Sequence, residues 1–123
     1  MRHGSGVFVA ASGLRLRPRD MARFGQMMLD DGRFDGRQIV PADYARSSLE
    51  PQIETGGSLT PRYGYQWWIG DLPLAIGNGG ERIAVDRGQR LVIVVTAGNY
   101  DSPVQGAAPA RVIEAVRAAV TRG

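Results

Sequence analysis

Residues 82–96 constrain the fold more than any other stretch of this chain. Arg82-Ile83-Ala84-Val85-Asp86 alternates in the manner of a strand, Arg87-Gly88-Gln89 supplies a turn, and Leu91-Val92-Ile93-Val94-Val95-Thr96 is a continuous apolar run. The pair reads as an antiparallel hairpin whose second strand is buried on both faces. A strand of that kind needs a layer on each side and a neighbour along its outer edge.

The flanking segments supply helices. After Arg17-Pro18-Arg19-Asp20, apolar residues at Met21, Phe24, Met28 and Leu29 follow helical spacing. Pro18 suits the first turn, Asp20 sits where the helix dipole favours an anion, and Asp30-Asp31-Gly32 ends the helix. A turn over residues 32–37 and a short extended Gln38-Ile39-Val40 lead to Pro41, which opens a second helix to about Leu49. Residues 52–61 have no periodicity and read as a loop. Tyr63-Gly64-Tyr65-Gln66-Trp67-Trp68-Ile69 reads as one aromatic-rich strand, and residues 70–80, with Pro73, Gly77, Gly79 and Gly80, as a connection. Pro109 precedes a last helix with Val112, Ile113, Val116, Ala119 and Val120 on one face. The order of two helices, strands and a C-terminal helix defines one α+β domain over residues 1–123, with an antiparallel sheet of about three to four strands. With one covering helix, the sheet keeps an open edge and a second open face, and the edge is a site for pairing with a further strand, another copy or a complementing chain. Residues 1–11, with Val7-Phe8-Val9-Ala10-Ala11, are a flexible start or a short extra strand.

Composition excludes much chemistry. All fifteen cationic side chains are arginine, so there is no lysine; there is no cysteine, and the single histidine is His3. A thiolate nucleophile, a disulfide framework, a cysteine-ligated zinc, a Schiff base and a P-loop lysine are all ruled out, and no metal or cofactor is expected. At 43% hydrophobic and 22% charged residues, the chain has the make-up of an ordinary soluble domain. No apolar run reaches the length of a membrane span, and the N-terminal residues lack the long apolar core of a signal peptide, which leaves localisation open. A net charge of +3 with scattered arginines does not form a nucleic-acid footprint. Glu81 and Asp86, five apart on one strand, fall on opposite faces and are not an acid/base pair. Asp30, Asp31 and Asp35 read as a solvated turn, and Asp101 as a loop residue with no identifiable partner.

Four segments, in order, carry a family resemblance. These are Ser12-Gly13-Leu14-Arg15 leading into residues 17–25, Gly36-Arg37-Gln38-Ile39-Val40-Pro41, Tyr63-Gly64-Tyr65-Gln66-Trp67-Trp68, and Gly77-Asn78-Gly79-Gly80-Glu81-Arg82-Ile83-Ala84-Val85-Asp86. From about residue 12 to 120 the chain resembles the C-terminal part of the serine β-lactamase-like hydrolases. That family includes class C β-lactamases, low-molecular-weight penicillin-binding proteins, esterases and 6-aminohexanoate-dimer hydrolases. The resemblance implies a partial β-lactamase/transpeptidase-like fold and a serine acyl-transfer site. That site is built from a Ser-x-x-Lys, a Tyr-x-Asn or similar element, and a Lys-Thr-Gly-like strand segment.

Only the third element carries over. Its position falls on Ala75-Ile76-Gly77, which makes the Asn78 amide an oxyanion donor; the alternative register places the motif on Asn78-Gly79-Gly80. Gly77 suits a place where backbone comes close to substrate. Ala75 stands where β-lactamases have lysine, which leans toward an esterase or amidase branch. Of Trp67 and Trp68, which alternate on a strand, one belongs to the core and the other lines a cleft or an interface, and Tyr63 and Trp68 are the cleft-lining candidates. With neither Ser-x-x-Lys nor Tyr-x-Asn, the chain is expected to be an inactive C-terminal portion of such a hydrolase. The alternative is an association module that uses the open sheet edge.

Overall fold

The computed structural model describes Gly6, residues 13–57 and residues 59–122. The expected strand at residues 7–11 lies outside the described residues. In chain order the elements are α1 (Pro18–Leu29), β1 (Arg33–Phe34), β2 (Arg37–Gln38), α2 (Ala42–Ser48), β3 (Ile53–Glu54) and β4 (Arg62–Tyr63). They continue with β5 (Trp68–Ile69), β6 (Pro73–Ile76), β7 (Arg82–Asp86), β8 (Leu91–Val95) and α3 (Ala107–Arg122). The fold is the expected α+β arrangement of an antiparallel sheet with a C-terminal helix, but the second face is not open as expected, because α1 packs on it opposite α3. The sheet is wider than the sequence suggests, with six strands in the order β3-β4-β5-β6-β7-β8, beside a separate β1-β2 pair.

Two departures have local causes. The aromatic stretch is not one strand: Gly64 N–H donates to Trp67 O at 2.8 Å and Gln66 takes a left-handed φ of 68°, so a turn separates β4 from β5. The connection over residues 70–80 contains β6. Pro73 occupies its first position, where a missing N–H is tolerated, and Ala75 pairs with Ile83 of β7. The second hairpin strand, expected to be buried on both faces, is not where burial is deepest. The deepest burial falls on β7, every residue of which is buried, because β8 is the outermost described strand and is only partly covered apart from Ile93.

Alternation along β7 divides the core. Ile83 and Val85 face α1, where they pack with Met27, Met28, Leu29 and Trp67, whereas Ala84 faces α3 with Ile93 and Ile113. The α3 stripe is narrower than expected: Ile113 and Val116 turn inward, Val112 and Val120 remain exposed, and the helix begins at Ala107 with Pro109 in its first turn. In the β1-β2 pair, Asp35 and Gly36 both take left-handed backbone, as an Asp-Gly turn between two short strands requires. Asp30 and Asp31 are more than a solvated turn. Asp30 binds Arg90 at 2.6 Å, and Asp31 binds Arg46 and Arg87, each at 3.2 Å, so the end of α1 is tied to α2 and to the β7–β8 turn. The Asp30 carboxyl is held below its ordinary value, first by its hydrogen bond from Gln26 and then by Arg90, against the opposing effect of burial.

Gly25 sets the distance between α1 and the sheet. A Cβ there would lie 2.5 Å from Val92 Cγ1 and 2.9 Å from Ile83 Cγ2, both on stiff β-branched side chains. Gly25→Val is therefore expected to destabilise the fold by about 2 kcal/mol or more through overpacking, despite valine's better helix propensity. Denaturant titration checks this, and a stability equal to the parent's would show that α1 can lift from the sheet without cost.

Candidate active site

β6 and β7 are joined by a short loop whose backbone is almost fully engaged. Gly77 N–H donates to Glu81 O at 3.0 Å and Gly80 N–H to Gly77 O at 3.5 Å, while Gly79 N–H donates to Gln105 Oε1 at 2.6 Å. Gly79 O accepts from Asn99 N–H at 2.9 Å. Gly79 and Gly80 are buried with φ of 111° and 105°; a Cβ on Gly80 would meet Ala97 and the Gln105 carbonyl. Arg82, buried on the β7 side, donates to the carbonyls of Gly77 and Glu81 at 3.2 and 2.8 Å. Burial lowers its guanidinium's pKa, and the Glu81 charge partly restores it.

Asn78 differs from its neighbours. It is exposed, and its backbone N–H donates to no described residue. Its side chain does have a partner, which corrects the reading of Asp101 as unpartnered. Asn78 Nδ2 donates to Asp101 Oδ1 at 2.9 Å, and Asp101 N–H returns a bond to Asn78 Oδ1 at 3.2 Å. Reading the sequence alone missed this reciprocal pair because its members lie 23 positions apart and Asp101 carries no motif.

The strand leading into the loop has one open side. β5 pairs with β6 only at Trp68–Leu74 and Ile69–Pro73, so residues 75 and 76 pair with β7 and, among the described residues, with no strand opposite. Ala75 lies on the α1 face of the sheet, packed against the cluster that contains Trp67 and Ile83. Gly77 and Glu81 continue that face: a Cβ on Gly77 would sit 3.2 Å from Glu81 Cβ and 3.0 Å from its Oε2. The structure thus brings Ala75, Gly77, Asn78, Gly79 and Gly80 together at one strand end. Tyr63 and Trp68 are not part of that group. They are cross-strand partners, with ring centroids 4.7 Å apart at 66°, and pairing of Trp68 with Leu74 puts them on the α3 face. Trp67 is the buried one of the two tryptophans and stacks parallel to Phe24 at 6.1 Å.

Among the described residues, a surface depression lies elsewhere. It measures about 410 Å³ and is walled by Asp30, Asp31, Arg33, Phe34, Asp35 and Arg90, which is largely the solvated ion-pair region at the end of α1. It contains none of the loop's groups. No described helix is long and apolar enough to cross a membrane, and no three or more described His, Asp or Glu side chains are grouped to hold a metal ion.

This strand-and-loop arrangement occurs in an α+β fold shared with part of a hydrolase. The putative 6-aminohexanoate-dimer hydrolase from Bacillus anthracis superposes with a TM-score of 0.72 at 26% identity, over 94% of this chain and 31% of that one. This chain therefore spans about a third of the length of the hydrolase it resembles. No protein-family model matches the sequence, and no curated protein matches it.

Proposed function

We propose that this chain forms one wall of the acyl-transfer cleft of a serine hydrolase, with the Asn78 backbone N–H as an oxyanion donor. The observation that carries this reading is the state of the loop amides. Those of Gly77, Gly79 and Gly80 are already committed, and Asn78 alone presents an exposed, unengaged donor next to an open strand edge. This favours the register with Ala75-Ile76-Gly77 at the Lys-Thr-Gly-like position.

In the proposed reaction a serine hydroxyl attacks the substrate carbonyl while a base takes its proton, and the carbonyl oxygen becomes an alkoxide. The Asn78 N–H, fixed in advance by the flanking hydrogen bonds, meets that charge without reorganising. Gly77 leaves room for the carbonyl to approach, and the open side of residues 75 and 76 accepts an extended part of the substrate by strand addition. The nucleophile and its base come from outside this chain, which has no lysine and no serine in a Ser-x-x-Lys. Ala75 offers no cation to a substrate carboxylate, so simple amides or esters fit better than β-lactams. The similarity to a protein named for acting on a 6-aminohexanoate dimer points the same way.

Incubating the purified chain with p-nitrophenyl esters and nitrocefin tests this. No turnover above buffer and no serine adduct by intact mass are expected. Robust hydrolysis with a serine adduct would overturn the reading.

A second reading rests on a different observation. α1 and α3 cover opposite faces of β8, as helices cover an interior strand, yet among the described residues β8 pairs only with β7. Its outer edge would then pair with a complementing chain or a second copy. Light scattering checks this, and a monomer at high concentration, with no partner retained, counts against it.

A further inference from the structure

We propose that Asn78-Gly79 is a deamidation site held shut by residues 99–105, and that its conversion to aspartate or isoaspartate releases that loop. The site stands whether or not the Asn78 N–H serves as an oxyanion donor.

An asparagine followed by glycine is the sequence in which the next backbone nitrogen reaches the side-chain amide with least hindrance, because glycine has no Cβ. Of the chain's two asparagines, Asn78 precedes Gly79, whereas Asn99 precedes the bulky Tyr100. In the reaction the Gly79 nitrogen gives its proton to water and bonds to Asn78 Cγ. The Cγ–Nδ2 bond breaks, Nδ2 leaves as ammonia with a proton from solvent, and a succinimide ring remains. Water then opens that ring at either carbonyl, which gives aspartate or isoaspartate. Both steps need only water as co-reactant.

One short segment holds both reacting groups. The Gly79 N–H donates to Gln105 Oε1 at 2.6 Å, so the proton that must leave is engaged. Gly79 is buried, and the Tyr100 ring lies over it: a Cβ there would stand 2.8 Å from Tyr100 Cε1 and 2.9 Å from Cδ1, which keeps a water base away from the nitrogen. The carboxamide is held in turn. Asn78 Nδ2 donates to Asp101 Oδ1 at 2.9 Å and Asn78 Oδ1 accepts from the Asp101 N–H at 3.2 Å, so rotating the carboxamide costs both bonds. The Asn99 N–H, on Gly79 O at 2.9 Å, ties the backbone between them to the same loop. Asn78 itself is exposed, so water reaches the reacting groups once residues 99–105 lift away. The product cannot restore the contact. A carboxylate at position 78 has no N–H to donate, and it faces the Asp101 carboxylate where Nδ2 stood, so like charges repel. Isoaspartate also adds a methylene to the main chain. Conversion is therefore one-way, and the loop stays released.

Incubating the full chain at one pH and temperature, folded in buffer or unfolded in urea, tests this when followed by cleavage after arginine and mass spectrometry. Residues 63–82 carry Asn78 and residues 91–111 carry Asn99, so each asparagine is read in its own peptide, and chromatography separates aspartate from isoaspartate. Asn78 should convert about a hundredfold more slowly in the folded chain than in the unfolded one, a factor equivalent to two hydrogen bonds of about 1.4 kcal/mol each. Gln105→Ala should raise the folded rate about tenfold. So should Asp101→Gly, in which glycine suits the left-handed backbone at φ 57°. Asn99 should stay slow throughout. In hydrogen exchange, Asn78→Asp should lose protection of the Gly79 N–H while the amides of β7 keep theirs. Equal Asn78 rates in the folded and unfolded chain, or variants that match the parent, overturn the gating by residues 99–105. Unchanged protection of Gly79 in Asn78→Asp overturns the release of the loop.

Discussion

Arg117→Ala is expected to lower the unfolding free energy by about 3 kcal/mol and the midpoint of thermal unfolding by roughly 10 °C. Asp86 ends the most deeply buried strand with its side chain only 5% exposed. Arg117 of α3 donates from Nε to Asp86 Oδ2 at 2.8 Å, and Gln89 N–H donates to Oδ1 at 3.0 Å. Removing the guanidinium leaves a carboxylate with one neutral donor in a site that water reaches poorly, and the desolvation already incurred is no longer offset. Arg117 keeps 33% exposure, and the Gln89 bond survives, so the effect belongs at the lower end of the range for broken buried pairs. The exposed Asp20–Arg23 pair on α1 provides the contrast. Its partners are 39% and 66% exposed, and Arg23→Ala should change stability by less than about 0.5 kcal/mol. Urea titration of both variants measures the difference. A loss below 1 kcal/mol for Arg117→Ala would mean that Asp86 is rehydrated when its partner leaves.

How much of this was legible in the sequence depends on whether the signal was local. α1 was readable because Pro18, Asp20 and the apolar spacing of Met21, Phe24 and Met28 all act within three turns. The β7–β8 hairpin was readable from its alternation and its turn. β6 was hidden because Pro73 and the neighbouring glycines carry turn signals, and only pairing with β7 makes Leu74, Ala75 and Ile76 a strand. β8 was misjudged for a related reason. An unbroken apolar run reports how much a strand can bury, whereas its actual burial depends on what lies along its outer edge. At the candidate site, the glycines and Asn78 stood out as a motif, but the groups that fix them did not. Gln105, Tyr100 and Asp101 come from a loop more than twenty residues away and match no pattern, so only folding shows that they hold the loop tip. The Tyr63–Trp68 pair shows the converse. Alternation placed Trp67 and Trp68 on opposite faces, and the faces themselves were assigned only once Trp68 was seen opposite Leu74.

Asn78→Pro is expected to lower kcat/KM by a factor of about 100 to 1,000 in a chimera where this chain replaces the matching 31% of the Bacillus anthracis hydrolase. Proline removes the backbone N–H and nothing else from the main-chain donor set of the loop. Asn78 is absent from the residues with left-handed backbone, so proline is not barred there by a positive φ, and the preceding residue is a glycine, which has no Cβ to clash with the proline ring. The substitution also removes the side-chain pair with Asp101, and Asn78→Ala separates the two effects, since alanine loses that pair but keeps the N–H. If the amide is the donor, Asn78→Ala should cost less than tenfold, and the remaining loss in Asn78→Pro is the oxyanion contribution. Because that contribution arises only as the carbonyl oxygen gains charge, it should appear in kcat with KM little changed. Equal losses in the two variants would place the effect in the Asn78–Asp101 pair. A loss in KM alone would show that the loop binds substrate without stabilising its transition state.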